Sequence, residues 1–161
     1  ISDYIKALEL IPERPTSYHG VGYCKSELGD YEGAIIAFSK AIELDPKYAD
    51  AYYNRADAKS NLKDSYGAIA DYTKVIEIDP QYEEAYLNRG FEKDELKDYY
   101  GAIADYTKLI EINPKYANAY LNRSVAKESI GDINGACLDA KKAVSFGEKS
   151  AENQSWIKDN C

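Results

Sequence analysis

The sequence predicts an all-α protein, an α-solenoid of helix–turn–helix units finished by a C-terminal capping helix. Three observations carry that prediction. The phrase "YGAIADYTKVIEIDP" at residues 66–80 returns as "YGAIADYTKLIEINP" at 100–114, thirty-four residues on, and Pro12, Pro46, Pro80 and Pro114 keep the same interval. Each interval holds two stretches with apolar residues at three-and-four spacing, the pattern of amphipathic helices. No stretch shows the strict alternation of a strand. A unit whose apolar face cannot be buried alone buries it by stacking on a copy of itself.

Residues 1–14 read as the second helix of a truncated unit, because "DYIKALELIP" follows the pattern of "DYTKVIEIDP". Full units then occupy 15–48, 49–82, 83–116 and 117–150. An aromatic opens each first helix: Tyr18, Tyr52, Tyr86 and Tyr120. The polar turns "LGDYEG", "LKDSYG", "LKDYYG" and "IGDING" separate the two helices of a unit. Second helices carry Ala34, Ala68, Ala102 and Ala136, followed four residues later by Phe38, Tyr72, Tyr106 and Ala140. Asp-Pro or Asn-Pro stops the first three of them, since proline disfavours helix in the residue before it. Gly147 ends the fourth as a C-terminal cap. Residues 151–161, "AENQSWIKDNC", supply Trp156 and Ile157 for one apolar face and read as the capping helix.

A thirty-four-residue helix–turn–helix with Tyr, Ala, an aromatic and Pro at these offsets resembles the tetratricopeptide repeat, over nearly the whole chain. The resemblance implies a right-handed superhelix with a concave groove lined by the first helices. It also implies a non-enzymatic scaffold that binds a peptide segment of a partner protein in that groove. Two other readings stay open. The repeats can be a regulatory or targeting module of a larger protein with an upstream catalytic domain. Alternatively, the uncovered N-terminal edge, with Tyr4, Ile5 and Leu8, can drive self-association.

Groove positions follow from the same resemblance. Fourteen of the sixteen tyrosines belong to the repeat framework as packing aromatics, leaving Tyr23 and Tyr53 outside it. Tyr23, Tyr53, Leu87, Phe91, Leu121 and Val125 form the apolar part of the expected lining. Asn54, Asn88 and Asn122 recur at one offset, where an amide can hold a peptide backbone by donor and acceptor together; the alternative is that they bond neighbouring helices. Asp57, Asp94 and Glu128 would select against acidic ligands. Carboxylate-clamp members of the family hold chaperone tails with lysines and an arginine around paired asparagines. Here those basic places hold Tyr53, Leu87, Asp50 and Glu84, so the expected partner is a neutral to basic protein or peptide.

Arg55, Arg89 and Arg123 stand where the family usually has leucine, and Asp71, Asp105 and Asp139 follow each by sixteen residues. In the first unit Val21 and Ala37 replace both partners together. An ion pair between the two helices of one repeat follows from that joint loss, with binding of an acidic ligand as the alternative. Cys137 near the start of one helix and Cys161 at the end of the next lie at similar height if the two are antiparallel about Gly147–Ser150. They read either as a disulfide pinning the cap or as two unpaired thiols.

The remaining chemistry is narrow. A net charge of −8 and no clustered Lys/Arg argue against nucleic acid. No apolar run is long enough for a membrane span. His19, the single histidine, reads as an ordinary polar residue, and there is no phosphate loop, metal spacing or nucleophile motif, so neither catalysis nor a cofactor is expected. The chain contains no methionine, so it is expected to start downstream of its natural N-terminus. Its compartment is therefore not fixed, with the cytoplasm favoured and the periplasm or secretion left open.

Overall fold

The turns set the beginning of each second helix. Asp30, Asp64, Asp98 and Asp132 cap them, their carboxylates accepting the backbone N–H of Gly33, Gly67, Gly101 and Gly135 at 2.9–3.0 Å. One residue earlier than each cap the chain turns left-handed: Gly29 at φ 78° and Gly131 at φ 82°, but Lys63 at φ 65° and Lys97 at φ 62°. At the other end, Asp45, Asp79 and Asn113 leave the helix extended ahead of their prolines. Their side chains accept N–H groups of Lys47, Gln81 and Lys115, closing small turns.

A computed structural model of the chain describes residues 14–161, and between these punctuation marks lie its helices. They are α1 Pro15–Glu27, α2 Tyr31–Leu44, α3 Ala49–Asn61, α4 Ser65–Ile78 and α5 Glu83–Glu95. There follow α6 Tyr99–Ile112, α7 Ala117–Ser129, α8 Ile133–Ser145 and α9 Ala151–Asn160. Among the described residues there is no strand. The expectations for residues 1–13, including the truncated repeat and the edge of Tyr4, Ile5 and Leu8, lie outside the described residues.

The described residues form two compact units, divided within α5 between Ala85 and Tyr86. In the first, aromatics of second helices press into alanines of first helices. Phe38 packs with Ala34 and Ala58, and Tyr72 and Val75 pack with Ala56, Ala68 and Ala85. Ala41, Ile42 and Ala51 are covered by Tyr18, Tyr48 and Tyr52. Phe38 is wholly buried, a contribution of about 1.5–3 kcal/mol. In the second unit Tyr106 packs with Ala102 and Ala126, and Ala136, Ala140 and Ala143 are wholly buried on α8.

An ionic tie joins first to second helix inside three hairpins. Arg55 bonds Asp71 two-pronged, Nε to Oδ2 at 2.8 Å and Nη2 to Oδ1 at 2.7 Å. Arg89 meets Asp105 at 2.9 and 2.6 Å, and Arg123 meets Asp139 at 2.8 and 2.7 Å. A lysine one turn after each arginine completes the arrangement: Lys59, Lys93 and Lys127 reach the same carboxylates at 2.7–2.8 Å. Each aspartate is 4% exposed, so two cations and several donors replace the water it has lost. Arg55 also donates to Ser39 on α2, and Arg123 to Thr107 on α6, so these two arginines extend the tie to the preceding hairpin. In the first hairpin, where Val21 and Ala37 stand, Lys25 turns instead to Asp30 at 2.6 Å.

Candidate functional site

Within each unit the expected lining separates into two sets of positions once side chains are placed. One set, His19 and Tyr53 in the first unit and Leu87 and Leu121 in the second, is half-buried. Tyr53 lies on Tyr82 with ring centroids 5.2 Å apart and tilts against Tyr72 at 5.8 Å. Leu87 packs against Ala102, Tyr106 and Ala126. These two side chains thus spend much of their apolar surface on the interior. In the other set, Tyr23 of the first unit and Phe91 and Val125 of the second are open, while Asp57 of the first is half-buried. Tyr23 is 53% exposed, Phe91 50% and Val125 46%.

In the first unit α1 and α3 enclose a cavity of about 230 Å³ bordered by Tyr23, Phe38, Asn54 and Asp57. His19 and Asn54 meet beside it, Nε2 to Nδ2 at 2.7 Å. An amide nitrogen only donates, so Nε2 accepts and the imidazole proton sits on Nδ1. The ring is wedged by Phe38 and Tyr48. Burial holds its pKa below the ordinary 6.5, although the neighbouring Asp50 pulls the other way. Part of the Asn54 amide is therefore engaged within the protein. Asp57 accepts the Tyr72 hydroxyl. The cavity wall carries Glu27 and Asp57 and no cation.

In the second unit the half-buried Asn88 and the exposed Phe91 lie on α5 with Asp94. One oxygen of Asp94 is buried without a hydrogen-bond partner, and burial together with Glu95 raises its pKa above the usual carboxylate value. A second cavity, of about 330 Å³, lies between α7 and α9. Leu121, Asn122, Val125 and Glu128 form its α7 side, and Asn153 and Trp156 its α9 side. The Trp156 indole donates to Glu128 at 2.8 Å. A disulfide joins Cys137 to Cys161, Cα to Cα 5.6 Å, and Cys24 is a free thiol.

Two lining residues escape the sequence reading. Tyr82 passes for repeat framework, yet it is the ring on which Tyr53 rests. Trp156 passes for a cap residue, yet it faces a cavity; its position thirty-four residues after Asn122 is the signal that places it on an inner face. Among the described residues no group of His, Cys, Asp or Glu is set to hold a metal. None of the described helices is long and apolar enough to cross a membrane.

Comparisons with known proteins fit this geometry. Models described as TPR repeat and tetratricopeptide repeat match residues 22–62, 49–82 and 83–116, together more than half of the 161 residues. No curated protein matches the chain. Among solved structures, the crystal structure of MamA is 29% identical, with 92% of this chain and 87% of that one aligned at a TM-score of 0.86. MamA from residue 41 onward of Desulfovibrio magneticus RS-1 is 18% identical over 89% of this chain and 81% of that one, at 0.82. The first TPR of Spaghetti (RPAP3), bound to the HSP90 peptide SRMEEVD, is 24% identical over 73% of this chain and 94% of that one, at 0.70. The fold class is accordingly an all-α helical-repeat solenoid.

Proposed function

The chain belongs to the tetratricopeptide repeat family, and from that premise we propose that it docks a peptide segment of a partner protein in the groove lined by its first helices. The fold is that of a protein-interaction scaffold. The observation that carries the finer reading is an offset that stays open in each unit: Tyr23 in the first, and Phe91 and Val125 in the second, are large apolar side chains about half exposed. Apolar side chains grouped on a surface mark a place where another molecule removes them from water. Amides beside them, Asn54 in one unit and Asn122 in the other, supply donor and acceptor to a peptide backbone.

Charge selects the partner. Both cavities are walled by carboxylates and carry no lysine or arginine. The peptide seated in the Spaghetti structure has three acidic residues, and such a segment would meet Asp57 or Glu128 without a compensating cation. A neutral to basic segment is favoured instead.

Binding of a partner captured from native lysate, followed by calorimetry with single variants, tests the proposal. Tyr23→Ala and Phe91→Ala are suitable because both rings are half exposed and fold stability depends little on them. Each should weaken binding about tenfold or more, which is about 1.4 kcal/mol. Unchanged affinity in both variants, with loss on replacing the exposed Ile36 or Leu138 of the second helices, would move the site off the first helices.

A further inference from the structure

The capping helix does more than cover the last hairpin. Helix α9 takes the place of a further first helix, and Trp156 stands at the offset that Asn122 occupies on α7. It is held at both ends. Ser150 caps its start and Glu148 holds the buried Asn153 at 2.6 Å, while the Cys137–Cys161 bridge ties the residue after its end to α8. Between these anchors the indole reaches Glu128 on α7. The cavity so enclosed joins an apolar surface, from Leu121, Val125 and Trp156, to the carboxylates Glu128 and Glu152.

Resting on the groove reading above, we infer that this cavity is a specificity pocket for a lysine or arginine flanked by an apolar residue of the partner peptide, and that the Cys137–Cys161 bridge holds Trp156 in place for it. The cation is drawn by two carboxylates with no competing positive side chain in the wall. Its aliphatic stem lies along Leu121 and Val125, and its charge meets the indole face. Asn122 holds the adjoining backbone. Glu128 already accepts the indole N–H and keeps capacity for a second donor.

The bridge makes the pocket sensitive to thiols. An external dithiol closes into its own disulfide as two electrons and two protons pass to the Cys137 and Cys161 sulfurs, leaving two thiols. The end of α9 is then released, and Trp156 loses its fixed position.

Trp156 is the single tryptophan of the chain and so reports on the pocket directly. The probe is a short acetylated and amidated peptide of alternating leucine and lysine, with a leucine–glutamate peptide as control. Binding is read by Trp156 fluorescence and by calorimetry. The leucine–lysine peptide should shift the emission and bind at least tenfold more tightly than its control. Glu128→Gln, Cys161→Ser and dithiol treatment should each weaken it several-fold, with helicity by circular dichroism unchanged. Equal affinity for both peptides, or no response to those three changes, would overturn the pocket. If Tyr23→Ala and Phe91→Ala still abolish binding of the captured partner in that case, the groove reading stands and only the pocket falls. If neither set of variants matters, both fall.

Discussion

Arg89 and Asp105 show how a charge is kept inside a small helical hairpin. Removing the arginine leaves the buried Asp105 with Lys93 as its one cation and without its two-pronged bond, and Arg89→Ala should cost about 3 kcal/mol in chemical denaturation. The first hairpin points to the remedy, since Val21 and Ala37 stand there and Lys25 turns to Asp30. The double change Arg89→Val with Asp105→Ala should therefore recover most of the loss, because Lys93 can turn to Asp98 in the same way. The arginine and aspartate were legible in sequence because they recur and vanish together. The lysine is less conspicuous in sequence, although Arg55–Lys59, Arg89–Lys93 and Arg123–Lys127 repeat one spacing. Asp94 presents the opposite case, a carboxylate whose folded pKa is raised by burial. Its folded form binds protons more readily than its unfolded form, so it subtracts stability above the raised pKa and the penalty fades as pH falls through it. Asp94→Asn should stabilise the protein at neutral pH, and the gain should shrink in acid. His19 has a lowered pKa, so its neutral form is the one the fold keeps. Its contribution is complete above about 6.5 and is lost below it, as the unfolded chain takes up the proton first. Melting curves between neutral and mildly acidic pH should show that loss, and His19→Gln should flatten it.

At the scale of elements, the turns between the two helices of a hairpin carry the clearest strain. Gly29 and Gly131 take a left-handed conformation at no steric cost, whereas Lys63 and Lys97 take it with a side chain attached. Lys63→Gly and Lys97→Gly should each raise stability by about 1 kcal/mol, measured as a shift in the denaturation midpoint. Helices, turns and stops were all readable because each is written several times with the same punctuation: an aspartate cap, a glycine three residues later, a proline after the end. What periodicity could not say is which of two apolar columns on a first helix stays open. Tyr53 and Leu87 sit one turn from Asp57 and Phe91, and their chemistry suits either role. Only the rings opposite them, Tyr72 and Tyr82 for Tyr53 and Tyr106 for Leu87, decide that they pack inward. Trp156 was obscure for a related reason. Its helix is shorter than a repeat, so its offset from Asn122 does not stand out until the helix is placed.

For the whole molecule, the fold class read from the sequence and the family agree, while the proposed preference for basic partners rests on charge rather than on a motif. A net charge of −8 spread over a scaffold with carboxylate-walled cavities predicts electrostatically aided capture of basic segments. Association with the leucine–lysine peptide should slow as salt is raised, because screening shortens the reach of that field to about 8 Å at physiological ionic strength. The competing surface is also defined: Ile36, Tyr66, Tyr100 and Leu138 are the most exposed large apolar side chains of the second helices. The most direct measurement is therefore a backbone and side-chain NMR map of the protein with a captured partner peptide. Shifts should concentrate on Tyr23, Asn54, Phe91 and Asn122 of the first helices and on the Trp156 indole. Shifts confined to Ile36, Tyr66, Tyr100 and Leu138 would contradict binding on the first helices.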